Sequence, residues 1–397
     1  MNIVLEPGAA ALLDELHRAG FGAYAVGGCV RDSLLGLAPH DWDLCTAARP
    51  GQVMELFGED RCIPTGLQHG TVTVCVNSRT VEVTTFRTDG SYSDHRHPEA
   101  VSFVGDLNAD LSRRDFTMNA IALPPDGLLA DPFSGVEDIQ NRVIRCVGAP
   151  ALRFEEDALR MFRALRFSAR LGFEIEAQTM AAIAEKAPLV ASLAPERVRD
   201  EVEKLLLTGA PEKAYELISL GLLDAYLIRR PADGALFARI GRMPRKALER
   251  WCALCAVLTR YDCITSAADF LTRLRLDSRT IRCCEQTELM LQGDRPASRA
   301  EWTRALNKYG VDSVTCMALC RDALRGGQCH KELKAILKSG ECFSMKHLAV
   351  TGDDLLALGL RGRELGEMLR FLLDYVIEYP DNNRRELLLS LAQGTED

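Results

Sequence analysis

Up to about residue 150 the apolar positions fall in short runs that alternate with polar ones, at 22–26, 70–76 and 80–86, separated by Gly, Pro, Asn and Asp. A two-residue period of this kind predicts half-buried strands. The polar connection Asn77-Ser78-Arg79 has hairpin length, so residues 71–86 are expected to form an antiparallel pair. Segments 12–20 and 50–57 repeat their apolar positions every three or four residues, which suits helices laid over one face of a sheet. An α+β domain is therefore expected first. Beyond Pro150 the alternation stops, and long Ala/Leu/Glu/Arg-rich segments at 154–171, 196–207, 213–220 and 363–377 predict a second part that is nearly all helix. Gly172, the stretch 209–211, Gly221 and Pro380 each follow a periodic run and read as helix stops.

Composition narrows the class. With 397 residues, 47 % hydrophobic and 26 % charged, the chain has ordinary globular usage, which argues against disorder and leaves room for more than one core. No apolar run reaches the roughly 18 residues of a membrane span. The opening residues carry Glu6, Asp14 and Glu15 instead of a basic leader, so a cytoplasmic protein without membrane attachment is expected. The net charge of −8 requires any nucleic-acid contact to use a local basic surface. Fourteen cysteines without an export signal read as reduced thiols. The one CxxC, Cys252 and Cys255, lies in a helical apolar stretch and reads as core packing; a zinc site there would have to borrow Cys329 and His330.

Candidate chemistry begins at Asp41-Trp-Asp43. Two carboxylates one residue apart on an extended segment point to one side and can hold a divalent metal, which phosphoryl transfer needs. Gly27 and Gly28 precede a helical pattern and allow backbone amides to approach a phosphate, with Arg31 in the first turn beyond. No GxxxxGK[ST] is present, so the site is not a P-loop. Along 154–171, at about 100° per residue, Ala158, Phe162, Leu165 and Ala169 share one arc, while Asp157, Arg160, Arg163 and Arg166 step round the other side. That polar stripe reads either as a solvated face with a Glu156–Arg160 pair, or as a carboxylate beside a guanidinium that addresses one small ligand. An acceptor beside a donor fork matches the N4/N3 edge of cytosine and the N6/N1 edge of adenine, and mismatches uracil and guanine.

Gly27-Gly-Cys-Val-Arg-Asp-Ser-Leu-Leu-Gly36, Asp41-Trp-Asp43, Arg113-Arg-Asp-Phe-Thr-Met-Asn-Ala120, Asp131-Pro-Phe-Ser-Gly135, the run 156–167 and Glu196-Arg-Val-Arg-Asp-Glu201 occur in an order that resembles the class II, bacterial-type tRNA nucleotidyltransferase and poly(A) polymerase family. Thr351-Gly-Asp-Asp-Leu355 and Asn383-Arg-Arg-Glu386 resemble its C-terminal region more loosely. The resemblance implies a DNA polymerase beta-like nucleotidyltransferase head at 1–148, followed by an all-α neck with a nucleotide-template helix at 149–208, a body at 209–345 and an RNA-binding tail at 346–397. It implies Asp41 and Asp43 as catalytic Mg²⁺ ligands, Glu82 as a third carboxylate on the neighbouring strand pair, and Gly27, Gly28 and Arg31 as nucleotide contacts. Arg114 and Asn119 would face triphosphate or base, with Asp115 paired structurally to an arginine. The family's EDxxR motif falls on Glu156, Asp157 and Arg160, with Arg163 and Arg166 near the nucleotide.

The expected reaction is addition of C, C and A to a tRNA 3′ end from CTP and ATP, releasing pyrophosphate, by two metal ions and no nucleic-acid template. Arg197, Arg199 and Lys204 are candidates for RNA phosphates, or are ordinary surface charges. Poly(A) polymerases and CC-adding or A-adding enzymes share these motifs. The end at Gly394-Thr-Glu-Asp397, without a long basic extension, favours a tRNA substrate. The loop Tyr92-Ser-Asp-His-Arg-His-Pro98, which resembles one that CC-adding members shorten, favours full addition, although His97 stands where an arginine is often found. A silent RNA-binding protein is disfavoured by the intact site, and a phosphohydrolase using His40-Asp41 by the lack of further histidines at ligand spacing. Oligomeric state is left open.

Overall fold

Val81, Val83 and Thr85 are buried while Glu82 between them is exposed, so the two-residue period of 80–86 becomes a strand with one face turned inward and one turned out. The computed structural model in which this is seen describes residues 3–77, 79–90 and 101–394 and divides into two units, Met1–Ala225 and Tyr226–Asp397. The first unit begins α1 (Pro7–Arg18), β1 (Ala23–Val26), α2 (Gly28–Leu34), β2 (Asp43–Thr46), α3 (Pro50–Phe57), β3 (Cys62–Gly66), β4 (Thr71–Val76) and β5 (Arg79–Thr85). It continues through β6 (Arg87–Asp89), β7 (Val101–Phe103), α4 (Leu107–Ser112), β8 (Ala122–Leu123), α5 (Gly135–Gln140) and β9 (Val143–Ile144). Its helical end comprises α6 (Pro150–Glu156), α7 (Leu159–Leu171), β10 (Glu174–Ile175), α8 (Ala177–Lys186), α9 (Pro195–Leu206) and α10 (Ala214–Ser219).

Six strands form the main sheet in the order β3-β4-β5-β2-β1-β8. Only the β2–β5 pair is parallel. The predicted hairpin is β4–β5, closing with Val76 opposite Arg79 and Asn77 at φ 49°. On one face α1 buries Leu12, Leu13 and Leu16 against β1, β2 and β5, and α3 packs on β4 and β5. Cys45, on the same side of β2 as Asp43, is covered by Val26, Phe86, Leu111 and Ala120. Edge strand β3 carries the exposed Pro64, and its register to β4 shifts between Ile63 and Gly66.

The expected single helix over 154–171 is not formed. α6 ends at Glu156, Asp157 takes φ −140° and ψ 101°, and α7 begins at Leu159. The cause is local: Asp157 Oδ1 accepts from the Leu159 backbone N–H at 3.1 Å, an alternative that an Asp side chain offers in competition with the helix ladder. The core arc survives the break, since Ala158, Phe162, Leu165 and Ala169 are all buried.

The second unit is helical, with no strand among the described residues: α11 (Ala247–Arg260), α12 (Ala267–Arg273), α13 (Ser278–Gln292), α14 (Arg299–Arg325), α15 (Cys329–Lys338), α16 (Gly352–Ala357), α17 (Gly362–Glu378) and α18 (Arg385–Gln393). α14 is interrupted at Gly310, whose φ of 78° lies in the left-handed region. One core cluster is built on Trp302, Leu306, Met317 and Leu333, another on Leu355, Leu372, Val376 and Leu388. No helix among the described residues is long and apolar enough to cross a membrane.

Candidate active site

Gly27 joins β1 to α2 at φ 82°, ψ −130°, a conformation that L side chains rarely adopt. A Cβ here would also meet Arg114 Nη1 at 3.2 Å, so the glycine lets that guanidinium lie against the turn. Gly28, by contrast, would place a Cβ in ordinary contact with Arg31 Nη2, at 3.7 Å. Arg114 is held by the fully buried Asp110, Nη2 to Oδ2 at 3.3 Å, and its Nε is buried with no hydrogen-bond partner. Burial works against its charge, but Asp110 and its other neighbours outweigh this and raise its pKa. A donor buried and left over beside a glycine turn suits an anionic ligand.

Asp43 opens β2 and stands opposite Glu82 of β5, which in turn faces Thr73 of β4, so the three share the outward face of adjacent strands. Loss of hydration and then the charge of Glu82 push the Asp43 carboxyl up to about 6, with Asp41 adding to the rise and Arg114 opposing it. Asp41 lies at the bend before β2, beyond the buried Trp42, with its exposed carboxylate 3.0 Å from His40 Nδ1. Asp41, Asp43 and Glu82 do not bring three oxygens within 4.8 Å of one another. Their donor chemistry is nonetheless all carboxylate oxygen with unbalanced negative charge, which fits a hard divalent cation.

Arg31, expected at the nucleotide, is buried. Its guanidinium donates to Asp32 Oδ1 at 2.6 and 2.9 Å and to Asn119 Oδ1 at 2.6 Å, and lies 4.9 Å from the Phe167 ring centre. Asn119 passes the connection on, donating to Asp115 Oδ1 at 2.9 Å. Asp115 Oδ2 takes both Nε and Nη2 of Arg163, at 2.9 and 2.7 Å, the structural pairing expected of it. Burial would raise the Asp115 pKa, but the charge of Arg163 with the bonds from Asn119 and Arg163 reverses this and holds it at about 2. Arg166 donates to the buried Glu201 at 2.5 Å, and Arg163 and Arg166 join Arg31 around Phe167.

The stripe on α7 is therefore not a solvated face. Arg160 is only 8 % exposed and donates to Glu156 Oε2 at 2.8 Å and to the Arg113 carbonyl at 2.8 Å. Asp157 and Arg160 are also not two points on one helix, because of the break at Asp157. Asp157 Oδ2 accepts from Arg197 Nη2 at 3.0 Å, which takes Arg197 off the list of plain surface charges. Arg199 pairs with Asp200 at 2.8 Å, and Lys204 stands 3.8 Å from Glu201.

Asp110 was not singled out in the sequence, and Asp32, Glu201 and Phe167 lie inside the motifs named above without a role assigned to them. Only Asp110 left a short-range signal, standing three and four residues before Arg113 and Arg114 on one helix face. The loop 92–98 lies outside the described residues.

Residues 23–145 match the poly A polymerase head domain family, and 172–227 match a family described as a probable RNA- and SrmB-binding site of polymerase A. A CCA-adding enzyme of Geobacillus sp. (strain WCH70) is 41 % identical over 88 % of this chain and 86 % of its own. One from Enterococcus faecalis is 36 % identical over 97 % of this chain and 95 % of its own. Among solved structures, the Bacillus stearothermophilus CCA-adding enzyme in complex with CTP superposes with a TM-score of 0.84, at 33 % identity and 98 % coverage of each chain.

Proposed function

Since the chain belongs to the CCA-adding enzyme family, we propose that it adds C, C and A in turn to the 3′ end of tRNA, taking CTP and ATP and releasing pyrophosphate. The observation that carries this reading is the juxtaposition of the Asp43–Glu82 pair with Arg114, whose buried Nε has no partner. Carboxylates for a cation and a leftover donor for a phosphate are what nucleotidyl transfer asks of a protein that forms no covalent intermediate.

Asp41 and Asp43, with Glu82 beside them, would hold Mg²⁺, which supplies neutralisation of the triphosphate and activation of the attacking 3′ hydroxyl. The Gly27–Gly28 turn brings backbone close to the phosphates, and Arg114 donates to them. Asp157 accepts from the exocyclic amine of cytosine or adenine, and Arg160, on giving up its bond to Glu156, donates to the adjacent ring nitrogen. Uracil or guanine would set donor against donor and acceptor against acceptor in a desolvated site. Arg163 and Arg166 add positive charge near the nucleotide, while Arg31 acts through Asn119, keeping its amide in place. The reading divides the chain into head (1–148), neck (149–208), body (209–345) and RNA-binding tail (346–397), and its site of action is the cytoplasm.

The test is extension of three tRNA transcripts, ending at the discriminator base, at C and at CC, with Mg²⁺ and with CTP and ATP singly and together. Expected is growth that stops at CCA from each. Arrest at CC, addition of A alone, or open-ended A tails would replace this reading with the corresponding sibling activity, and no extension by folded protein would overturn it.

A further inference from the structure

Three helices of the second unit each turn one cysteine to a common point. Cys252 of α11, Cys283 of α13 and Cys316 of α14 are buried, and their Sγ atoms all lie within 4.8 Å of one another. They are a group of at least three ligand-type side chains gathered this closely among the described residues. Cys284 adds a fourth sulfur, 3.3 Å from Cys252 Sγ. Every cysteine is a free thiol. Cys329 and His330, the supply that the CxxC spacing suggested, are not in the group; their backbone N–H groups are bonded to Asp322 instead.

We propose that Cys252, Cys283 and Cys316 form a binding site for one thiophilic closed-shell cation, Zn²⁺ or Cu⁺. An ion bonded to sulfur at about 2.3 Å sets its sulfurs roughly 3.8 to 4.0 Å apart, inside the envelope these three thiols already occupy. Cys284 lies outside the group and is not placed to complete a tetrahedron, so the three sulfurs satisfy a cuprous ion, whereas zinc would take a fourth ligand from solvent. The surroundings are equipped for the anionic form of the ligands. Thr287 Oγ1 has one proton and two acceptors in reach, Cys252 Sγ at 3.8 Å and the Ser313 carbonyl at 3.3 Å, so it can turn from the carbonyl to the sulfur when that sulfur becomes a thiolate.

A route in exists as well. Cys283 lines a surface hollow of about 430 Å³ together with Arg279, Arg282, Gln286, Lys308 and Ser313. Asp312 also lines the hollow and pairs with Arg279 at 2.6 Å, so the charge that accumulates as thiols give up protons is offset chiefly by Arg282 and Lys308. Each thiol that ligates releases one proton to solvent, so affinity rises with pH.

The experiment uses the full-length, reduced, metal-free protein. Titration with Co²⁺ as a spectroscopic probe is expected to give a near-ultraviolet sulfur-to-cobalt charge-transfer band that saturates at one equivalent. Displacement by Zn²⁺ in one arm and by buffered Cu⁺ in the other ranks the two ions. Loaded protein should resist alkylation at Cys283 about tenfold or more relative to the free form, read by peptide mass spectrometry on the unmutated chain. Cys252→Ser and Cys316→Ser should each weaken binding about a hundredfold, while Cys342→Ser, elsewhere in the unit, leaves it unchanged. A folded protein that gives no cobalt band and no protection overturns the site, as does full binding by the Cys252→Ser/Cys316→Ser double variant.

Discussion

Asp157 accepts a hydrogen bond from Arg197, 40 residues further along the chain, at 3.0 Å, while Arg160 spends its donors on Glu156 and on backbone carbonyls. The carboxylate proposed to read the base is therefore held on both oxygens, Oδ2 by Arg197 of α9 and Oδ1 by the Leu159 N–H that opens α7. Asp157→Ala should lower kcat/KM for CTP about a hundredfold and erase most discrimination against UTP and GTP. Arg197→Ala, which frees the carboxylate to turn, should cost roughly tenfold and blunt selectivity in part. Single-turnover assays with the four nucleotides check both; unchanged rejection of UTP and GTP by Asp157→Ala would sink the templating role.

Asp43 provides a pH signature. Its carboxyl is raised to about 6 by lost hydration and by Glu82, so the folded protein binds this proton more tightly than the unfolded chain. That contribution to stability is full below the ordinary carboxylate range and is lost as pH rises through about 6. Asp43→Asn should therefore raise the melting temperature of the metal-free protein at pH 7, while cutting transfer about a thousandfold. Stabilisation by Mg²⁺ should grow between pH 5 and 7 in the parent and vanish in the variant, as followed by thermal unfolding with and without the ion.

Asp115 behaves in the opposite sense. Held at about 2, it contributes stability above pH 4 that is lost as pH falls toward 2, on the order of 2 kcal/mol. Asp115→Ala leaves Arg163 without its partner and Asn119 without its acceptor, and should cost about 3 kcal/mol at neutral pH. Urea denaturation at pH 7 and pH 3 measures both; an equal loss at the two pH values would show that the ion pair is not what the variant removes.

Gly27→Ala combines a strained backbone with a Cβ pressed toward Arg114 Nη1. The expected cost is about 1 to 2 kcal/mol of stability and a rise of roughly tenfold in the KM for nucleotide. Gly28→Ala, with ordinary contact distances, serves as the milder comparison. Equal effects of the two substitutions on KM would contradict a special position for Arg114.

The strands, the β4–β5 hairpin and the helical second half were legible because their determinants are local: a two-residue period, a polar turn at Asn77, and Ala/Leu-rich runs with glycine stops. The break at Asp157 was not. No proline or glycine marks it, the apolar arc continues through Ala158 and Phe162, and a single Asp competing for a backbone N–H is too weak a signal to mark a break on its own. The partners of Arg163 and Arg166 were not legible for a related reason, since Asp115 and Glu201 lie 48 and 35 residues away and such pairs leave no trace in spacing. The DxD motif was legible as chemistry, but not the turn of Asp41 toward His40 or the Glu82 register, which only the sheet pairing fixes.

The slipped register and Pro64 of strand β3 bear on how the protein behaves at high concentration. An outer strand with regular, unpaired amides is a template on which another chain can build, and stacked edges are a route to fibrils. Proline has no amide hydrogen to offer an incoming strand, and the local irregularity bends the edge out of the flat geometry that stacking needs. That border of the sheet is thereby closed to intermolecular growth, so replacing Pro64 with a β-branched residue such as valine would raise the tendency to self-assemble before it altered the fold.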